Sequence, residues 1–306
     1  MKAYLLARVL RAIMTIWVVL TIVFFLSHLS GDPTQWLLPD DASARDRAAL
    51  RASLGLDRPI WQQYWDYLVG LSHGRMGTSY AYHRPVSDLF LQRAPYTVAL
   101  GGLALLVAVV AGIALGTLAA TKRGTVIDRL SMTSAVGGEA IPDFALGILL
   151  VLVFSLTLHV LPSGGYSSPQ HYILPVVTLA AGATTGVARW TRGAMVDVLG
   201  QDYLETARAK GIGEVRVVLK HAMRNSLIPV VTVLGLQLGT LIGGAVVVET
   251  VFGWPGVGSL IVAAAQSRDL PVIQFGVLVV AGTVVFASLL VDLSYALLDP
   301  RIRIHA

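Results

Sequence analysis

The apolar positions of this sequence fall in long, nearly unbroken runs, unlike the alternation or helical striping of half-buried elements. A helix rises about 1.5 Å per residue and the hydrocarbon core of a bilayer is about 30 Å thick, so roughly 17 to 25 apolar residues make one crossing. Six stretches qualify, at residues 9–29, 97–120, 136–161, 172–189, 228–249 and 275–298. The fourth is short and carries Pro175, Gly182 and Gly186, which membrane helices tolerate because neighbouring helices satisfy freed backbone groups. Lys2, Arg8 and Arg11 precede the first run and no small-residue cleavage site follows it, so it reads as an uncleaved anchor. The pattern predicts an all-α polytopic membrane protein, a single transmembrane domain over 1–306.

Three polar intervals interrupt the runs. Residues 30–96 contain Trp36, Trp61, Tyr64, Trp65 and Tyr67, too aromatic for a disordered linker and suited to a membrane–water interface. They are expected to form an extracytoplasmic insertion of short helices, with Asp40 and Asp41 capping an Ala-rich stretch that ends at Gly55. Residues 190–227 are too polar for a crossing. Within them Asp202 and Glu205 have the spacing of a capping box, Leu204 and Ala207 make a small apolar face, and Gly211 can end the helix, so a short helix, a turn and a second helix are expected. Residues 249–270 return the chain to the last run.

Composition agrees with a bilayer: 55% of the residues are apolar and 13% are charged, against about 25% charged in soluble domains. The net charge of +5 is scattered between apolar runs, so it is read as a topology signal and not as a nucleic-acid surface. Lys122, Arg123, Arg129, Arg301, Arg303 and the basic residues from Arg189 to Arg224 fall on the same side as the N-terminus, which places both termini in the cytoplasm. The absence of Cys excludes disulfides and thiolate chemistry.

No phosphate loop, HExxH or GxSxG motif is present, and the 7 His are dispersed without metal-ligand spacing. No catalytic residue, metal site or bound cofactor is therefore expected. Gly112 with Gly116, and Gly235, Gly239 and Gly243, recur every four residues, a spacing that lets helix backbones approach closely. Glu139, Asp143 and Asp292 are ionisable residues within apolar runs, where charge is costly unless paired or hydrated. A proton relay through them would make the chain a secondary carrier; a Ser155–His159 pair would make it a membrane hydrolase.

The segment around Glu205-Thr206-Ala207, with Gly211 six residues after the glutamate, resembles the EAA loop of ABC importer permeases. The longer run TARAKG, followed by His221, Arg224-Asn225 and Pro229, resembles the dipeptide, oligopeptide and nickel branch. Gly31-Asp32-Pro33, LGLDRP at 54–59, GTS at 77–79, GGAVVVETVFGWPGVG at 243–258 and YALLDPRIR at 295–303 extend the likeness to the B-type subunit over the whole chain, although Glu139 and Asp143 are acidic where the family has small or apolar neighbours of IP.

The resemblance implies a type I importer permease without covalent chemistry of its own. It would pair with a homologous second permease and two ATPase subunits that hold ATP and Mg, and receive cargo from an extracytoplasmic binding protein. It implies that Asp202, Tyr203, Glu205, Thr206, Ala207, Ala209 and Gly211 form the ATPase-coupling segment, and that Glu249, Phe252, Trp254 and Pro255 belong to an external gate or binding-protein contact. Peptide is the expected cargo; nickel complexes, glutathione and haem are alternatives within the same machinery. Pathway-lining positions are expected on inward faces of the second, third and fifth runs.

Overall fold

Proline and glycine decide where the apolar runs stop being regular helix. The computed structural model describes the backbone of residues 2–29, 32–39 and 41–298, and side chains other than those of 2–5, 36, 134–136, 138–140, 228, 232–234, 236, 238, 240 and 290–298. The first run is α1 (Lys2–Leu29). The polar interval after it forms α2 (Thr34–Leu37), α3 (Ala44–Ser53) and α4 (Ile60–Ser72) before α5 (Val86–Thr121) begins.

The capping expected of Asp40 and Asp41 is corrected. Ser43 is the N-cap of α3, accepting the Asp46 amide at 3.2 Å and donating its hydroxyl to the Asp46 carboxylate at 2.7 Å. Asp40 lies outside the described residues. Gly55 does end the segment in the left-handed region (φ 68°), with Leu56 N bonded to Arg51 O at 2.9 Å. The insertion is tied to the first crossing: Tyr64 shares a 2.6 Å hydrogen bond with Thr21, Gln63 meets His28 at 2.9 Å, and Phe24 stacks edge-on against Tyr64. Trp61 and Trp65 remain exposed on the other face of α4, as an interfacial belt requires.

The third run, expected as one crossing over 136–161, is broken. Residues Val126–Ala140 form α6, the chain straightens at Ile141 (φ −96°, ψ 122°), and α7 (Asp143–Leu150) restarts and widens into a π-helical turn over Val151–Thr157. Pro142 is the reason: it lacks an N–H and forces the residue before it out of the helical region. Pro175 causes no such break, because it sits in the first turn of α8 (Ile173–Leu199), where no helical bond is lost.

The polar segment expected from 190 begins later, since its first ten residues continue α8. Then come α9 (Asp202–Ala209), α10 (Glu214–Arg216) with a wide turn to Ala222, α11 (Met223–Val251), α12 (Val257–Gln266) and α13 (Leu270–Leu298). Among the described residues, four segments are long and apolar enough to cross a membrane: Leu6–Leu29, Val86–Thr121, Pro169–Leu199 and Leu270–Leu289. The third expected crossing is present as the shorter apolar stretch Asp143–Thr157, and the fifth lies within the 29-residue α11.

The central pairing is α5 against α8. A Cβ on Gly112 would come within 2.6 Å of Val187, and one on Gly116 within 2.5 Å of the Ala188 carbonyl. Membrane helices gain nothing from burying apolar surface that lipid already covers, so contact at this distance is what holds the pair. Gly116→Val is therefore expected to lower stability by about 1–3 kcal/mol or more, read as a drop in the Tm of the detergent-solubilised protein. Gly182→Ala, on the partner helix α8, meets nothing within 4 Å and should leave Tm unchanged. A Cβ on Gly239 or Gly243 would likewise meet nothing; the side chains around Gly235 lie outside the described residues.

Candidate functional site

At one end of the bundle α9 lies with one face in and one face out. Leu204 and Ala207 are buried with Ala120, Met195, Val217, Val218 and Ala222. The expected capping box does not form: the N-cap is Gln201, which makes no side-chain cap, and Asp202 is already the first helical residue. Asp202 and Glu205 therefore act on the first turn through the helix dipole. Gly211 closes the helix with φ 78°, which lets Ile212 N reach Ala207 O at 3.3 Å and Gly211 N reach Arg208 O at 2.9 Å.

Tyr203 fastens α9 to the helix that follows. Its hydroxyl accepts from Asn225 Nδ2 at 2.8 Å and donates to His221 O at 3.3 Å. Arg208 grips Glu214 through two 3.1 Å bonds. With the inner face pinned this way, Asp202, Glu205, Thr206 and Ala209 face outward and are exposed. The arrangement is a short rigid knob carrying acidic and hydroxyl groups, able to be gripped and to pass a push to α8 and α11.

Beside it, a pair that the sequence reading missed fixes the α5–α6 corner to α8. Arg192 donates to both oxygens of Asp128, at 2.7 and 2.8 Å, and Gly124 N adds a third bond at 3.0 Å. These bonds, with the charges of Arg192 and Arg123, hold the Asp128 carboxyl down at about 2. A folded-state pKa below the ordinary carboxylate value stabilises the fold above roughly pH 4 and loses that effect as pH falls toward 2. Asp128→Asn should flatten this part of the acid limb, measured by thermal unfolding in detergent between pH 5 and 2.

The opposite end is organised by two buried acids. Glu249 accepts the Thr97 hydroxyl at 2.6 Å and Ser259 N at 3.0 Å, while Thr97 Oγ1 accepts Val257 N at 2.8 Å. Its carboxylate thus sits on the first turn of α12, which favours negative charge. A side chain on Gly256 would collide with that carboxylate, and one on Gly258 with the Val246 backbone. Trp254 donates Nε1–H to Tyr96 O at 3.1 Å and packs edge-on against Tyr172; the Phe252 carbonyl accepts Gly165 N at 2.9 Å. Asp269, which the sequence reading also missed, accepts Ser79 Oγ at 2.5 Å and the Tyr80 and Ala81 amides at 3.1 Å. Burial, and then the nearby Asp269 charge, push the Tyr80 phenol up.

The expected gate residues are thereby located: Glu249, Phe252 and Trp254 are fully buried and Pro255 is half-buried. In this conformation Glu249, Phe252 and Trp254 hold a corner together from inside, and of the four only Pro255 keeps part of its surface open. Ser155 and His159 are not joined, since the imidazole bonds Thr157 O at 3.1 Å instead. Asp143 is half-buried at the head of α7, while the side chains of Glu139 and Asp292 lie outside the described residues.

Comparison with known proteins adds the following. The family described as binding-protein-dependent transport system inner membrane component matches residues 112–304, and the N-terminal region of the same class of membrane component matches residues 1–101. The chain is 45% identical over 304 residues to the glutathione transport system permease protein GsiC of Escherichia coli K12, covering 99% of both chains, and 46% identical to that of Salmonella typhimurium LT2 with the same coverage. Among solved structures, an inward-facing MetNI methionine ABC transporter superposes with a TM-score of 0.58 at 19% identity, over 70% of this chain and 97% of that one. An amino acid ABC transporter gives a TM-score of 0.53 at 16% identity, over 68% and 92%.

Proposed function

The chain belongs to the binding-protein-dependent transport system inner membrane component family, and we propose that it carries short peptides into the cell, glutathione first among them. It is a multi-pass membrane permease subunit of an ABC importer, not an enzyme; its partners supply ATP hydrolysis and cargo capture. The observation that carries the cargo reading is identity of 45% along the full length of a permease named for glutathione transport. That cargo is itself a tripeptide, so it lies within the peptide class implied by the TARAKG and GWPGVG runs.

In this reading the α9 end faces the cytoplasm, together with both termini, and the α12 end faces outward. Two ATPase subunits grip the exposed face of α9 around Glu205, close when they bind ATP and Mg, and drive α8 and α11 against their neighbours. A homologous second permease completes the pathway, and the open glycine face at Gly239 and Gly243 gives its helices room for close approach. Shifting such a pair of packings from 1:99 to 99:1 takes about 5.5 kcal/mol, which ATP occupancy must supply as differential binding.

The test is uptake of radiolabelled glutathione and tri-alanine by the full importer in proteoliposomes, with binding protein outside and ATP inside. ATP-dependent accumulation of either supports the reading. A chain that purifies without ATPase subunits and accumulates cargo without ATP overturns it.

A further inference from the structure

One face of α8 is lined by Leu179, Gly182, Gly186, Arg189, Gly193 and Asp197. Two cavities lie along it. The first is shared with Asp143, Gln237 and Leu241; the second is shared with Pro229; Arg189 and Trp190 border both, so the two join into one trough. From Leu179 to Asp197 the helix rises about 27 Å at 1.5 Å per residue, close to the thickness of the hydrocarbon core. Its floor is made of small residues: a Cβ on Gly182 or Gly193 would meet nothing within 4 Å, whereas Gly186 between them is covered by the Gln237 side chain, which cargo must displace or bond. Asp143 stands within the apolar run and Arg189 at the end of the fourth crossing, so a trough carrying them cannot face lipid chains without a large penalty and is left to water, cargo or the companion permease.

The charges are placed at separate levels. The Asp143 carboxylate lies beside Gly244, whose Cβ would come within 2.8 Å of Oδ2 and 3.1 Å of Leu179; Asp143 is therefore level with Leu179. Among the described residues its carboxylate has no hydrogen-bond or ion-pair partner. Arg189 follows ten residues later, about 15 Å further along the axis. It already makes a contact within the chain, but a guanidinium's five donors can hold that contact and a carboxylate together. A three-residue peptide extends over about 10 Å, and the long arginine side chain covers the remainder.

We propose that this trough is the cargo's path and that, midway through, Asp143 holds the ammonium end of a short zwitterionic peptide and Arg189 its carboxylate end. The proposal rests on the peptide-importer reading and extends it to a site. The pathway wall expected on the second, third and fifth runs is then formed by α7, α8 and α11, the third, fourth and fifth.

The test compares Asp143→Asn, Asp143→Glu, Arg189→Gln and Gly193→Phe in the full importer, measuring uptake of glutathione and tri-alanine alongside ATP hydrolysis stimulated by loaded binding protein. Asp143→Asn and Arg189→Gln are expected to lower uptake at least tenfold while hydrolysis stays within twofold, with Asp143→Glu recovering most of the uptake. Gly193→Phe fills open space and should block uptake without loss of assembly. Wild-type uptake by Asp143→Asn, or loss of uptake and hydrolysis together in all four variants, overturns the proposal and leaves the importer reading standing. Failure of the wild type to accumulate either peptide removes both.

Discussion

Glu249→Ala is expected to be the most destabilising single substitution at the α12 end, leaving little folded protein after detergent extraction. The carboxylate is wholly enclosed and joins three elements: Thr97 on α5, the end of α11 and the first turn of α12. Removing it strands the Thr97 hydroxyl and the Ser259 amide, each costing about 1–3 kcal/mol when buried without a partner. It also leaves a void beside Gly256 and Gly258, which the carboxylate now abuts. The total reaches several kcal/mol, against a whole folding margin of about 5–15 kcal/mol. Glu249→Gln keeps the shape and one acceptor, so its loss should be intermediate. Thermal unfolding of the purified protein checks both, and an unchanged Tm in Glu249→Ala would show that the clamp contributes nothing.

The second large effect is expected at the other end and is of a different kind. Glu205→Arg should lower ATP-dependent uptake at least tenfold and reduce the ATPase that co-purifies with the chain, while Tm moves little. The reason for the split is exposure: Glu205 points away from the bundle and only its dipole contribution, about 0.3–1 kcal/mol, bears on folding. Leu204→Ala, by contrast, removes the enclosed residue that seats α9 and should lower stability and coupling together. Wild-type uptake in Glu205→Arg would remove Glu205 from the coupling contact.

These two ends differ in how far they could be read from residue order. The α9 helix and its Gly211 stop were legible, because an apolar pair at helical spacing and a glycine that takes positive φ are local facts. The helix start was misplaced by one residue and the capping box does not form: Asp202 lies just inside the helix, where it makes no cap. The break in the third crossing was written in Pro142, but the apolar run continuing to either side concealed it. The clamps were not legible. Glu249 lies 152 residues from Thr97, Asp269 lies 190 from Ser79 and Arg192 lies 64 from Asp128, and no periodicity links such partners. One hint was available at the Glu249 corner, where glycines at 256 and 258 leave room for the carboxylate and the close approach of α11.

The central claim, that α9 is where ATP-driven motion enters the permease, is most directly tested by proximity. The chain has no cysteine, so a single one at exposed Ala209 can be labelled with a maleimide-linked photocrosslinker in the assembled importer. The account predicts an adduct with the ATPase subunit whose yield changes between nucleotide-free and ATP-bound states. An ATPase adduct absent from Ala209 but formed from a cysteine at Val126 on α6 would contradict it.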